Sequence, residues 1–133
     1  MHQANDQRID FERADTGHMI QRNQKLFLSD ILECIDLIND YLKKTTREEF
    51  FNDFIRKDAV FRRLEIIGEA AKNVSPRIKK KHPEIPWPQI CGMRNKLVHE
   101  YFGVNYKKVW QTATEDLVPL KKQIEAILKE ERL

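Results

Sequence analysis

From about Arg22 to Lys43, the residues Phe27, Ile31, Cys34, Ile35, Ile38 and Leu42 recur at three- and four-residue steps, the repeat of one helix face. Leu28, Leu32 and Leu37 widen that stripe, so this helix must touch more than one neighbour. Thr46 followed by Glu49 is a capping box, and the short helix it opens carries Phe50, Phe51 and Phe54. Asp58 can cap a longer helix from about Ala59 to Asn73, with Val60, Phe61, Leu64, Ile67, Ala71 and Val74 on its apolar face. Gly68 inside that helix costs about 1 kcal/mol against alanine, which suggests that another helix approaches there.

Ser75-Pro76 is a further helix start, with serine as N-cap and proline in the first turn. Residues 82–88 hold three prolines and predict a mostly extended loop. A helix resumes near Pro88 and is expected to run to about Phe102, closed by Gly103 in the left-handed conformation. Asn105 can cap a last region from about Tyr106 to Lys129, and Pro119 predicts a kink or a joint near Asp116. Short connections make successive helices antiparallel neighbours. The expected fold is all-α, an up-and-down bundle of four to five helices. Residues 1–18 lack this periodicity and read as a polar N-terminal extension, with Met19 as a possible second start; residues 19–133 form the helical domain.

Composition narrows the picture. The 133 residues suit one domain, with 41% hydrophobic and 34% charged residues. The net charge of +3 permits nucleic-acid contact without arguing for it. No apolar run reaches membrane-spanning length, and the polar start is not a secretory signal, so a cytoplasmic location is expected. Cys34 and Cys91 lie far apart in apolar surroundings and read as reduced core thiols.

The chemistry concentrates in residues 93–103, which contain Arg94, Asn95, Lys96, His99, Glu100 and Tyr101. On a straight helix Arg94 and Tyr101 would face the same way, whereas Arg94 and His99 would stand about 140° apart. They share a site only if the arginine curls round, the helix distorts, or a second copy supplies the missing group across a two-fold axis. In the last turn of a helix His99 would feel the helix dipole, which favours imidazolium. A histidine of this kind serves as acid or base. Arg94 can bind a phosphate bidentately and stabilise charge in phosphoryl transfer. Together they suit RNA cleavage in which the ribose 2′-hydroxyl attacks the adjacent phosphate. No metal-ligand spacing accompanies them, and neither metal nor cofactor is expected. The competing structural reading has His99 capping carbonyls and Arg94 paired with Glu69 or Glu100.

Arg94-Asn95-Lys96-Leu97-Val98-His99 resembles the R-x4-H motif of HEPN domains, and Tyr101 extends it to the R-x4-H-x-Y form of HepT-type proteins. Residues 64–76, 82–104 and 109–128 are similar to HepT text in the same order. The resemblance implies a helical homodimer with both motifs in one cleft. It also implies a ribonuclease toxin, and a partner that is a minimal nucleotidyltransferase antitoxin of MntA type. That partner transfers AMP to the motif tyrosine, here Tyr101, which would place bulk and negative charge beside His99. Two alternatives are a non-catalytic HEPN module that binds a nucleotidyltransferase and nucleotides, and a chain that restrains an active nucleotidyltransferase.

Several other residues are candidates. Asn95 could orient His99 or touch RNA, and Lys96 could contact phosphate. Glu69 and Asp36 lie on otherwise apolar helices and are candidate partners for Arg94. Basic runs at Arg62-Arg63, Arg77 to Lys81 and Lys107-Lys108 read mainly as solvated faces that RNA could also use. Trp87 and Trp110 could stack on bases, although Trp110 lies on a helical stripe. Lys121 to Glu131 reads as an amphipathic helix packed on the core through Ile124, Ile127 and Leu128.

Overall fold

The computed structural model describes residues 23–131; the expected N-terminal extension, residues 1–18, lies outside them. Among the described residues, helix α1 covers 23–42. It is followed by α2 (Arg47–Phe51), α3 (Phe54–Lys72), α4 (Pro76–Lys81), α5 (Trp87–Cys91) and α6 (Met93–Leu97). A small hairpin, β1 (Val98–His99) and β2 (Gly103–Val104), leads to α7 (Tyr106–Gln111). A π-helical turn (Thr112–Asp116) joins α7 to α8 (Leu117–Glu130). The fold is all-α apart from this hairpin.

Four rods carry the core: α1, α3, the broken α5–α6 rod and the continuous α7–α8 rod. Leu28, Ile31, Ile35 and Ile38 of α1 meet Leu64 and Ile67 of α3 and Ile124 and Ile127 of α8 in one buried cluster. The N-terminal turn of α1 lies against the C-terminal end of α3. Gln24 donates to the Asn73 carbonyl at 3.3 Å and accepts from the Ser75 amide at 2.8 Å. The helix ends follow their chemistry. Thr46 and Glu49 form both halves of the capping box. Ser75 caps α4 with Pro76 in its first turn, and Asn105 caps α7. One expected cap moves: Asp53, not Asp58, caps α3, by accepting from the Arg56 amide. Asp58 instead accepts from the Tyr106 hydroxyl at 2.9 Å. Burial and that contact push the Tyr106 phenol up to about 12.

Pro119 lacks an amide hydrogen and crowds the carbonyl four residues before it. The joint expected near Asp116 takes the form of the π turn, which absorbs this mismatch just ahead of α8. Residues 82–88 are not an extended loop: a compact turn over 82–86 leads straight into α5 at Trp87, pinned by buried Ile85 and Trp87. The Trp87 indole N–H donates to the His82 carbonyl at 3.0 Å, so this ring is structural and not a base-stacking platform.

At the far end of α8 an ionic clasp forms. Arg77 and Lys81 reach Glu131 at 2.7 and 3.1 Å. The pair holds the Glu131 carboxyl below its usual range, chiefly through the Arg77 hydrogen bond. Cys34 is buried, and desolvation pushes its thiol up; Cys91 is half-buried with Lys79 Nζ at 3.7 Å from its sulfur. Among the described residues no helix is long and apolar enough to cross a membrane.

Candidate functional site

The site rests on Gly68. A Cβ built there would stand 3.0 Å from Met93 Cβ and 3.1 Å from the Ile90 carbonyl oxygen. Only glycine lets α5 and α6 lie so close to α3, as its place in the sequence suggested. Gly92 ends α5 and opens α6, breaking the rod just before the motif. Met93 and Leu97 turn inward and are buried, which leaves Arg94, Asn95 and Lys96 on the outer face.

The single helix expected from Pro88 to Phe102 does not form. The chain leaves α6 at Val98, whose backbone is extended, and pairs Val98 with Val104 and His99 with Gly103. Residues 100–102 form a three-residue loop that closes through Gly103 at φ +74°. A glycine in the left-handed region is the usual solution for such a loop. The conformation expected at Gly103 is therefore present, but it closes a hairpin rather than a helix. β-branched Val98 and Val104 favour the ladder, and the Asn105 amide extends it to the Leu97 carbonyl at 2.7 Å. His99 consequently stands on a strand, clear of the last helical turn, and the 140° argument from a straight helix no longer applies.

On this frame the functional side chains point to solvent. Arg94 is 70% exposed and its Nε lies 3.6 Å from Glu65 Oε2. His99 is exposed, with Nδ1 accepting from the Tyr101 amide at 3.3 Å. Its ring lies 4.8 Å from the Phe102 ring and 6.3 Å from the Tyr101 ring. Tyr101 and Phe102 are 82% and 84% exposed. Lys96 lies 3.1 Å from Asp116 on the π turn. Among the described residues no hydrogen bond or ion pair links Arg94 to His99.

The partner of Arg94 is thus Glu65, not Glu69, Asp36 or Glu100. Glu69 is 67% exposed and pairs with Lys72 at 3.2 Å. Asp36 pairs with Lys121 at 2.9 Å. The physical reason is the way α6 packs on α3 at Gly68. Glu65 lies three residues before Gly68 and shares its face, so it borders the approach of α6. Glu69 is turned about 100° further round the same helix.

One set of potential metal ligands lies elsewhere. Atoms of His82, Glu130 and Glu131 fall within 4.8 Å of one another. Both Glu131 oxygens are already held by Arg77 and Lys81, so this group functions as an ionic clasp.

Chemically, α6 presents a guanidinium beside a carboxylate, and the hairpin that follows presents an imidazole with one engaged nitrogen, both exposed to solvent. With Nδ1 accepting, neutral His99 carries its proton on Nε2, the nitrogen that is left to donate.

A small helical bundle carrying Arg94 at the end of its third rod, and His99 and Tyr101 on the hairpin that follows, has the architecture of a HEPN domain. The Ribonuclease HepT-like family matches residues 31–127, and the chain belongs to that family. It is 46% identical over 112 residues to "Putative RNase MJ1216" of Methanocaldococcus jannaschii, covering 84% of this chain and 93% of the relative. It is 44% identical over 110 residues to "Probable ribonuclease HepT" of Thermococcus cleftensis, covering 83% of this chain and all of the relative. A third relative, "Putative RNase TTE0752" of Caldanaerobacter subterraneus subsp. tengcongensis, is 42% identical over 106 residues, covering 80% and 95%. No solved structure matches the chain.

Proposed function

We propose that this protein is a metal-independent endoribonuclease whose site is completed by a second copy of the chain. The observation that carries this reading is the pairing of two chemically capable groups with a lack of enclosure. Arg94 and His99 are exposed on adjoining elements, and among the described residues no hydrogen bond or ion pair joins them. The exposed rings of Tyr101 and Phe102 next to them are the kind of apolar surface that marks a contact face. Two such faces related by a two-fold axis would form a groove with both motifs inside it.

In that groove Arg94 exchanges its Glu65 carboxylate for phosphate oxygens and neutralises the charge that develops at phosphorus. Asn95 and Lys96, on the same outer face, contact the RNA backbone. His99 works at the ribose. The 2′-oxygen loses its proton to His99 and forms a bond to phosphorus, while the 5′-oxygen leaves and takes a proton from water, giving a 2′,3′-cyclic phosphate and a 5′-hydroxyl. To take the 2′-proton at Nε2, the imidazole must carry its own proton on Nδ1, which gives up the long 3.3 Å contact with the Tyr101 amide. That contact is weak and costs little to lose.

The finer biological reading is a toxin neutralised by a nucleotidyltransferase antitoxin that adenylylates Tyr101. The exposure of Tyr101 supports it, since its hydroxyl is open to a transferase. An AMP group there would add a phosphodiester charge within about one ring's length of His99 and repel RNA phosphate.

The test is cleavage of single-stranded RNA by purified protein in EDTA. Arg94→Ala and His99→Ala are each expected to lose about 10²- to 10⁴-fold in rate, with cyclic-phosphate ends on the wild-type products. Equal cleavage by all three proteins would remove the mechanism.

A further inference from the structure

Between α2 and the α7–π turn lies a cavity of about 290 Å³ lined by Arg47, Lys107, Trp110, Gln111, Thr114 and Glu115. The residues from 107 to 115 recur at helical spacing and so share one face. Arg47 enters from the first turn of α2, its guanidinium 5.3 Å from the centroid of the Phe51 ring. Trp110 is half-buried. Its ring packs on Phe50 at 5.3 Å, so part of the indole is anchored in the core while the rest lines the recess. Among the described residues Arg47 and Lys107 are in no ion pair, unlike Arg94 and Lys96 of the motif. Two cations, an indole face, an amide and a hydroxyl in one open recess are what a base and its phosphate require. Glu115 adds an acceptor suited to a base amino group.

The recess is also in the right place. β2 runs into α7 through the single residue Asn105, and Lys107 lies in the first turn of α7. His99 pairs with Gly103 across the ladder, and Lys107 follows Gly103 by four positions. Cα of Lys107 therefore lies within about 20 Å of Cα of His99. On the other side Lys96 is tied to Asp116, the neighbour of Glu115.

We propose that this recess binds a nucleotide of single-stranded RNA flanking the bond to be cut, with Arg47 and Lys107 on its phosphates and Trp110 against its base. The proposal rests on the ribonuclease reading but is tested apart from it. A dinucleotide holds the scissile phosphate and no flanking nucleotide beyond it. An oligoribonucleotide of about twelve residues spans both. Placed in the full chain, Arg47→Glu with Lys107→Glu is expected to leave dinucleotide turnover unchanged and to raise KM for the oligonucleotide about tenfold. Binding of the same oligonucleotide to His99→Ala protein, with and without the two reversals, is then followed against salt. Loss of two phosphate contacts should flatten the log–log slope by about 1.4. Arg47→Gln with Lys107→Gln should shift both readouts the same way by less, with an unchanged thermal midpoint as the check on folding. Unchanged oligonucleotide affinity and slope, or equal losses on both substrates, would overturn the proposal. If wild-type protein cuts neither RNA, the ribonuclease reading fails, while the salt titration still decides the recess.

Discussion

The middle of α3 and the hairpin that follows α6 are opposite solutions within one small protein. Along α3, Val60, Leu64 and Ile67 are fully buried, as the three- and four-residue repeat requires. Across the hairpin, His99 is exposed, and Tyr101 and Phe102 stand mostly in solvent. The first region earns its stability by removing apolar surface from water. The second leaves two large aromatic rings exposed beside the imidazole. The contrast teaches that the bundle is a frame, and that the groups with chemistry are carried on its least buried element.

Substitutions in the two regions should therefore separate stability from activity. His99→Ala removes cleavage by about 10²-fold or more but should leave the denaturation midpoint where it was. Ile67→Ala should cost about 2–5 kcal/mol of stability by opening a cavity. At temperatures where it stays folded, its cleavage rate should be near wild type. Denaturant titration beside an RNA cleavage assay checks both arms. A His99→Ala protein that unfolds as readily as Ile67→Ala would erase the distinction.

Gly68 is where the regions meet, and Gly68→Ala sharpens the comparison. A methyl gains about 1 kcal/mol of helix propensity. Against that, it presses on Met93 and on the Ile90 carbonyl, neither of which can move freely. Overpacking of about 1–3 kcal/mol should win, and the displaced α6 should carry Arg94 with it. A lower denaturation midpoint together with slower cleavage is expected. A more stable, fully active protein would show that α6 has room to spare.

The smallest effect lies at the clasp, far from the hairpin. The Glu131 pKa is lowered in the folded protein, so its contribution to stability is present above the ordinary carboxylate range. It disappears as pH falls through the depressed folded value. Glu131→Gln should lower the thermal midpoint by about 1–3 °C at neutral pH. The gap should close in acid, with cleavage untouched. A gap that persists at low pH would contradict the ionic account.

Much of the frame could be read directly from the sequence. The stripes of α1, α3 and α8 and the caps at Thr46, Ser75 and Asn105 follow local rules, and local rules suffice where burial is periodic. Pro119 gave the position of the π turn but not its form. The site was harder to read. Arg94, His99 and Tyr101 were identifiable by type and spacing, but their support was not. Two-residue strands are too short to show alternation, so the hairpin was hidden inside an apparent helix. Gly92 and the two valines carried the only signal of the break. Choosing Glu65 over Glu69, or Asp53 over Asp58, depends on which helix packs where, and that is tertiary information.

The most direct test of the shared site is complementation between two inactive chains. Arg94→Ala and His99→Ala proteins, mixed and allowed to exchange subunits, form mixed pairs in which an intact arginine and an intact histidine lie only on opposite chains. Random exchange should then restore cleavage to about a quarter of the wild-type rate. Mixtures that remain as inactive as either parent, under conditions where exchange is verified, would contradict a site drawn from two copies.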